Sequence, residues 1–405
     1  MSSGRAKLRE ELKEALAAYT RCYLDYFVDE EYGGYFNLCE DEDENHVVKN
    51  GKKSAEPIGR TLYFFSEIAM ILEKEERNTE TELKLIRDCK AAAENGYRFV
   101  TQHMLDREYG WFYSSVNRQG KPLDTGKKPY DGSFIMYGMV SYYELTGDEE
   151  CLEILKQLFG TLESKAHDPE GEGYFSQFDR FWKPITAGKI SYPEQKVMNC
   201  HQHILEAYAG LYPYWKEPAL ADAIRSLLHL VTDKLVMEDG HGYKQVMDRN
   251  FYTDDYKVIF GDNPENAYLL PLCAAVLGEP EMEGLIQKAV QGPLEFFLEN
   301  GRDLVYGGVY DSITDGQIDG KKVWWMQCEH LSYLFEMIRQ GHADFNEKEI
   351  RFTWDLTKKA LIRERGMWIW QADRSGKPMP RKGKEVFMTD GYHIGRMLVK
   401  ALQAL

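Results

Sequence analysis

The sequence predicts a barrel of six helical hairpins, an all-α (α/α)6 toroid with an inner and an outer ring and short turn hairpins at one end. Three observations predict it. A glycine-aromatic turn recurs six times, its copies lie roughly 60 to 75 residues apart, and two series of helix-period segments alternate between them.

The turn is clearest as Tyr32-Gly33-Gly34-Tyr35-Phe36. It returns as Tyr109-Gly110-Trp111-Phe112, Gly171-Glu172-Gly173-Tyr174-Phe175, Gly240-His241-Gly242-Tyr243, Tyr306-Gly307-Gly308-Val309-Tyr310 and Gly366-Met367-Trp368-Ile369-Trp370. Glycine supplies positive φ and the following ring packs beneath the turn. An acidic residue usually precedes the glycines: Asp29, Asp106, Asp168, Asp239 and Asp303. Each interval holds two helices of ordinary length with their connections.

One series of segments is rich in aromatic and polar residues as well as apolar ones: Gly59 to Leu72, Ser133 to Leu145, Val197 to Leu211, Asn266 to Val276, Trp325 to Ile338 and Tyr392 to Leu402. These are the expected inner helices. Glu82 to Phe99, Glu149 to Glu163, Pro218 to Leu235, Pro280 to Phe297 and Glu347 to Leu361 are plainly amphipathic and suit an outer ring. The segment from Lys7 to Leu16 also reads as an amphipathic helix. No Pro/Gly/Ser-rich stretch divides the chain, so one domain over residues 1–405 is expected.

Composition narrows the function. With 43% apolar and 29% charged residues the chain reads as a soluble globular protein, and a net charge of −16 without a basic stripe disfavours nucleic acid and anionic lipid as partners. Seven cysteines without a Cys-x-x-Cys pair read as reduced thiols of a cytoplasmic protein. Neither a signal peptide nor a membrane span is expected, and the assembly is read as a monomer or homodimer.

The turn-side ends of the inner helices carry Arg60, Tyr130, Asn199 with His203, Asp262 with Glu265, Glu329 beside Trp324-Trp325, and His393 with Arg396. Rings that stack on pyranose faces, side chains that bind hydroxyls, and a histidine able to move protons near neutral pH describe a site for a small sugar. Plainer roles stand beside these. Arg60 could pair with Glu56, His201 reads as structural, and His241 belongs to its turn. Glu329 and His330 are neighbours that point apart on a helix. With no His-x-x-x-His and no carboxylate cluster elsewhere, no metal and no cofactor is assigned.

The motifs Gly59-Arg60-Thr61-Leu62-Tyr63-Phe64-Phe65-Ser66, Met198-Asn199-Cys200-His201-Gln202-His203, Trp324-Trp325-Met326-Gln327-Cys328-Glu329 and Gly391-Tyr392-His393-Ile394-Gly395-Arg396 occur in this order. Together with Lys127-Lys128-Pro129-Tyr130 they make the chain resemble the N-acylglucosamine 2-epimerase superfamily, above all its cellobiose 2-epimerase branch. The resemblance implies the same barrel, no essential metal or redox cofactor, and epimerisation or aldose-ketose isomerisation of an unphosphorylated sugar through a cis-enediol. It implies His393 as the base at C2, Arg60 as the group that stabilises the enediolate, and Trp325 as a stacking platform. Asn199, His203 and Glu329 would bind hydroxyls or help open the ring.

Two departures matter. The family's other catalytic histidine belongs to a Gly-His-Asp-x-Glu segment, which here reads Gly261-Asp262-Asn263-Pro264-Glu265, so Asp262 replaces the histidine while Glu265 is kept. The Trp five residues before the last motif's histidine is Met388, and Thr389 and Asp390 replace the usual residues after it. Inversion at C2 calls for acid-base groups on both faces, whereas a 1,2-isomerase needs one. Loss of the second histidine therefore shifts weight toward isomerisation, unless Asp262 serves as that group with a raised pKa in a buried cleft, and isomerase and 2-epimerase both stay open. Loss of the Trp mildly favours a monosaccharide of the mannose, glucose or fructose type over a β-1,4-linked disaccharide. A glycoside hydrolase drawing on Asp262, Glu265, Glu329 and Asp390 is the alternative enzyme, and a sugar-binding protein without catalysis is a third reading. Whether Phe181 to Lys196 forms a lid is left open.

Overall fold

A computed structural model describes residues 3–36, 39–43, 46–49, 51–75, 79–185, 195–379 and 390–405. Its twelve α-helices are α1 Ser3–Tyr26, α2 Ala55–Glu73, α3 Glu80–Phe99, α4 Pro129–Thr146, α5 Glu149–Lys165, α6 Met198–Leu211, α7 Pro218–Leu230, α8 Asp262–Ala275, α9 Pro280–Asn300, α10 Trp324–Arg339, α11 Glu347–Ala360 and α12 His393–Ala404. The even-numbered helices pack in succession from α2 to α12, and α12 returns to α2. That closes the inner ring. The odd-numbered helices lie outside it, α1 on α12, α3 on α2, α5 on α4, α7 on α6, α9 on α8 and α11 on α10. The predicted toroid is the observed fold.

Burial explains the two series. Inner helices such as α4 and α8 are covered on most sides and show almost no amphipathic asymmetry, whereas α7 and α11 keep one apolar stripe for the core. The outer helices start on conventional signals. Thr79 and Glu82 form a capping box on α3, Asp148 caps α5, Asn346 caps α11, and α7 and α9 open on Pro. The six described side chains among the cysteines are buried free thiols, and no described helix is long and apolar enough to cross a membrane.

Three inner helices start earlier than their periodicity suggests: α2 at Ala55 rather than Gly59, α4 at Pro129 rather than Ser133, and α8 at Asp262 rather than Asn266. Gly59 reads as a boundary but is a contact. A Cβ there would lie 2.4 Å from the backbone nitrogen of Ile135, so the glycine lets α2 and α4 touch. The correction places Tyr130, Asp262 and Glu265 on rigid helix rather than in loops, and moves Arg60 from the predicted helix start into its second turn.

At the turn end, antiparallel bridges Val28–Tyr35, Leu105–Phe112, His167–Tyr174, Val236–Tyr243, Arg302–Val309 and Ile362–Trp368 mark the six copies. In four copies the next residue is an aspartate that clasps three parts of the chain. Asp29 takes Lys53 Nζ at 2.9 Å and Arg118 Nε at 2.8 Å. Asp106 takes Lys127 at 2.8 Å and Arg180 at 3.0 Å. Asp168 takes Lys196 and Arg249 at 2.9 Å each, and Asp303 takes Lys322 at 3.0 Å and Arg374 at 2.9 Å. All four lysines are buried and stand two residues before an inner helix. A buried ammonium survives only when paired in this way.

Asp239 is not a member of this set. It is exposed and accepts the His241 N–H within its own turn, and the bridge register puts Met237 at the equivalent position. Reading back from the glycines misassigned it, because the turns differ in length. In that sector Met237, Val258 and Asp315 stand at the strand positions that Asp, Lys and Arg hold elsewhere, and Met237 and Val258 are buried.

Candidate active site

The inner ring brings three helix starts together. Asp262 is the first residue of α8, His393 the first of α12, and Trp325 and Glu329 lie in the opening turns of α10 between them. The Trp325 ring spans this gap. It lies 5.4 Å from the His393 ring, and a Cβ on Gly261 would come within 2.4 Å of its far edge.

Three of the predicted residues, Tyr130, Asn199 and Trp325, are half-buried, while Asp262, His203, Glu265, Glu329, Arg60 and His393 are buried. His393 Nδ1 lies 2.5 Å from Glu329 Oε1. Glu329 also accepts the Tyr268 hydroxyl at 2.6 Å and Arg396 Nη2 at 3.0 Å. A carboxylate with those donors can only accept from the imidazole, which fixes the histidine proton on Nδ1 and leaves the Nε2 lone pair free. Burial, aided by Arg60 and Arg396, pushes His393 down to about 3 despite Asp390 and Glu265, so the ring is neutral at physiological pH.

Asp262 is the reverse case. Burial, then the nearby Glu265 and Glu329, raise it to about 8 against the hydrogen bond from Gln245 Nε2 at 2.7 Å. Its carboxyl therefore keeps its proton at pH 7. One group is poised to accept a proton and the other to give one.

Arg396 organises the centre. It donates to Glu206 at 3.0 Å, to Glu265 at 2.7 Å and to Glu329, and its guanidinium lies 3.8 Å from the centre of the Tyr392 ring. Glu206 also accepts the Tyr392 hydroxyl at 2.6 Å and meets His203 Nδ1 at 3.0 Å. His203 thus belongs to a buried His–Glu pair, with Phe134 4.5 Å from its ring. Arg60 is held by Asp390, by Glu56 at 3.0 Å and by the Tyr130 hydroxyl at 3.1 Å, and its buried Nε has no acceptor among the described residues.

The expectation of no carboxylate cluster is corrected. Ligand atoms of Glu265, Glu329 and His393, from three helices, lie within 4.8 Å of one another. Spacing along the chain could not show a cluster built across helices. By distance these residues could hold a cation, but Arg396 already bonds both carboxylates, so an incoming ion would have to displace it. The same commitments weigh against a hydrolase pair, since Glu265 and Glu329 carry Arg396 and Asp390 carries Arg60.

The plainer readings hold elsewhere. His201 accepts the Tyr174 N–H at 2.9 Å and binds the Val197 carbonyl at 2.8 Å. His241 stacks on Phe296 at 4.1 Å, and His330 turns away to Thr353 on α11. Met388 and Thr389 lie outside the described residues, as do 186–194 of the segment considered as a lid, whose two ends are tied by Arg180–Asp106 and Lys196–Asp168. Sequence reasoning missed Glu206, Tyr268 and Tyr392. Glu206 carried a signal, three residues after His203 on the same helix face, and Tyr392 stood beside His393 in the last motif, whereas Tyr268 carried none.

The model of the N-acylglucosamine 2-epimerase (GlcNAc 2-epimerase) family matches residues 79–395. Cellobiose 2-epimerase of Bacteroides fragilis is 29% identical over 406 residues, with 98% of each chain covered. Among solved structures, the cellobiose 2-epimerase from Bacillus thermoamylovorans superposes with a TM-score of 0.84 at 24% identity, covering 99% of this chain and 100% of that one. A D-mannose isomerase superposes at 0.81 with 17% identity and complete coverage of both chains, 100% each. Fold, site and relatives define an isomerase-type enzyme whose family acts on sugars. The chain belongs to the N-acylglucosamine 2-epimerase family.

Proposed function

We propose that residues 1–405 act as one cytoplasmic catalytic barrel, a 2-epimerase of an unphosphorylated aldose. The substrate is of the mannose or glucose type, free or as the reducing-end unit of a β-1,4-linked disaccharide. The observation that carries this reading is the pairing of a neutral His393 with a protonated Asp262 on the two helices that flank α10. His393 Nε2 removes the C2 proton of the open-chain sugar, and the electron pair moves into a cis-enediolate. Arg60 stabilises the oxygen that gains charge with its guanidinium. Asp262 then delivers its proton to the other face of C2, which inverts the centre. A 1,2-isomerase would need His393 alone, and a buried carboxyl held protonated would have no task in it.

Trp325 stacks on the sugar between the two groups. Asn199 and Tyr130 bind hydroxyls from the wall, the His203–Glu206 pair assists ring opening, and Glu265 and Glu329 hold Arg396 and His393 in place. Names among the relatives make cellobiose and mannose the first sugars to test. Proton NMR in D2O with cellobiose, mannose, glucose and fructose should show deuterium entering C2 of both epimers. Glycoside cleavage without C2 exchange would overturn the reading. Asp262→Asn should lose epimerisation and retain isomerisation.

A further inference from the structure

The starts of α2, α4, α6 and α10 are fastened by the four aspartate clasps, through Lys53, Lys127, Lys196 and Lys322. Two residues before α8 and α12 stand Phe260 and Gly391 instead. These are the two helices that open on Asp262 and His393. At α8 an apolar set has replaced the clasp. At α12 the anchor is Asp390.

Asp390 is buried and uses three groups. One carboxylate oxygen accepts the His393 backbone N–H at 2.6 Å, the other accepts Arg60 Nη1, and its carbonyl accepts the Tyr19 hydroxyl at 2.9 Å. Two glycines then press α12 onto α2 at the same level. A Cβ at Gly391 would lie 2.5 Å from the Arg60 carbonyl oxygen, and one at Gly395 would lie 2.4 Å from the Phe64 ring. The last inner helix is keyed to the first at Arg60.

We propose that Asp390 is a positioning residue: it joins the Arg60 guanidinium to the first turn of α12, so that His393 and Arg60 keep one fixed relation to the sugar. The proposal rests on the enediol reading above and deepens it. Proton abstraction at C2 and charge stabilisation on the adjacent oxygen must occur together, on atoms about one bond apart. A relative shift of the two groups therefore costs rate even when each remains present. Glu56 and Tyr130 hold Arg60 from its own side of the cleft. Among its described hydrogen-bond and ion partners, only Asp390 ties it to the helix of the base.

The test compares kcat and KM of the full chain with Asp390→Asn, which keeps an oxygen for the His393 N–H but drops the ionic contact to Arg60. A misplacement of this kind predicts a loss of about 10- to 100-fold in kcat with KM within about 3-fold. In an Arg60→Lys background the same change should cost under about 3-fold, because its route is already broken. Full kcat in Asp390→Asn, a loss confined to KM, or an equal loss in the Arg60→Lys background would each overturn the proposal. Should Asp390→Asn not fold, Asp390→Glu carries the test. It keeps the charge but displaces the contact, so positioning predicts at least a 10-fold loss in kcat, and unchanged kcat refutes it. Failure of the parent reading is distinct, since a wild-type chain that exchanges no C2 proton in D2O would remove the enediol chemistry itself.

Discussion

Replacing Asp262 by Asn should stabilise the protein while damaging its chemistry, and the gain should grow with pH. The carboxyl is buried and raised from 3.8 to about 8. In the unfolded chain it ionises near pH 4. Folding between pH 4 and 8 must therefore take up a proton, at a cost rising by about 1.4 kcal/mol per pH unit. The limiting cost at pH 7 is about 4 kcal/mol, and relaxation around a charged carboxylate reduces it to on the order of 2–4 kcal/mol. Asn is nearly isosteric, keeps an oxygen for Gln245, and escapes the cost. For a chain of this length that corresponds to a Tm rise of about 2–5 °C at pH 7 to 8, falling to nothing at pH 4. Differential scanning calorimetry of both proteins from pH 4 to 8 measures it. A gain independent of pH, or destabilisation at pH 8, would show that Asp262 is ionised in the folded protein and would remove it as the acid.

His393→Ala should lower kcat by about 10²–10⁴, and a fully active variant would refute its role as base. Lys196→Met removes a buried ammonium from Asp168 but leaves Arg249, so urea denaturation should show a loss of about 2–3 kcal/mol, under the 3–5 kcal/mol of a wholly orphaned partner. Asp29 is held down to about 2, where burial opposes but Arg118 and Lys53 prevail. Its contribution is present above pH 4 and is lost as pH falls towards 2, so Asp29→Asn should flatten the acid limb of stability between pH 4 and 2. Gly391→Ala forces a methyl against the Arg60 carbonyl and should cost about 1–3 kcal/mol and lower kcat, measured by thermal melts and turnover together.

The toroid was legible because its repeat is local: a turn, two helices and another turn recur at one interval, and inner and outer faces differ in composition. His393, Arg60, Trp325 and Asp262 were legible because each opens or nearly opens an inner helix, where the ring geometry must point it inward. The rest of the site was not. Arg396 meets Glu206, Glu265 and Glu329 from three other helices, and no spacing along the chain encodes such a meeting. The clasps were half legible. Aspartates before the glycines were visible, but their lysines and arginines belong to later segments, and the Asp239 misreading followed from aligning glycines instead of bridges.

The substituted sector has a consequence for how this sequence can change. Buried Met237 and Val258 stand where the aspartate and the lysine stand in other sectors, and no single step leads back. Met237→Asp alone would bury an unpaired carboxylate, and Val258→Lys alone an unpaired ammonium. Each intermediate would be less stable than either end state, so the two positions form one epistatic unit. Chains of this fold should carry the charged pair or the apolar pair in a given sector, and seldom a mixture. The sector that presents Asp262 is thereby fixed in its apolar form, whatever happens to the chemistry beside it.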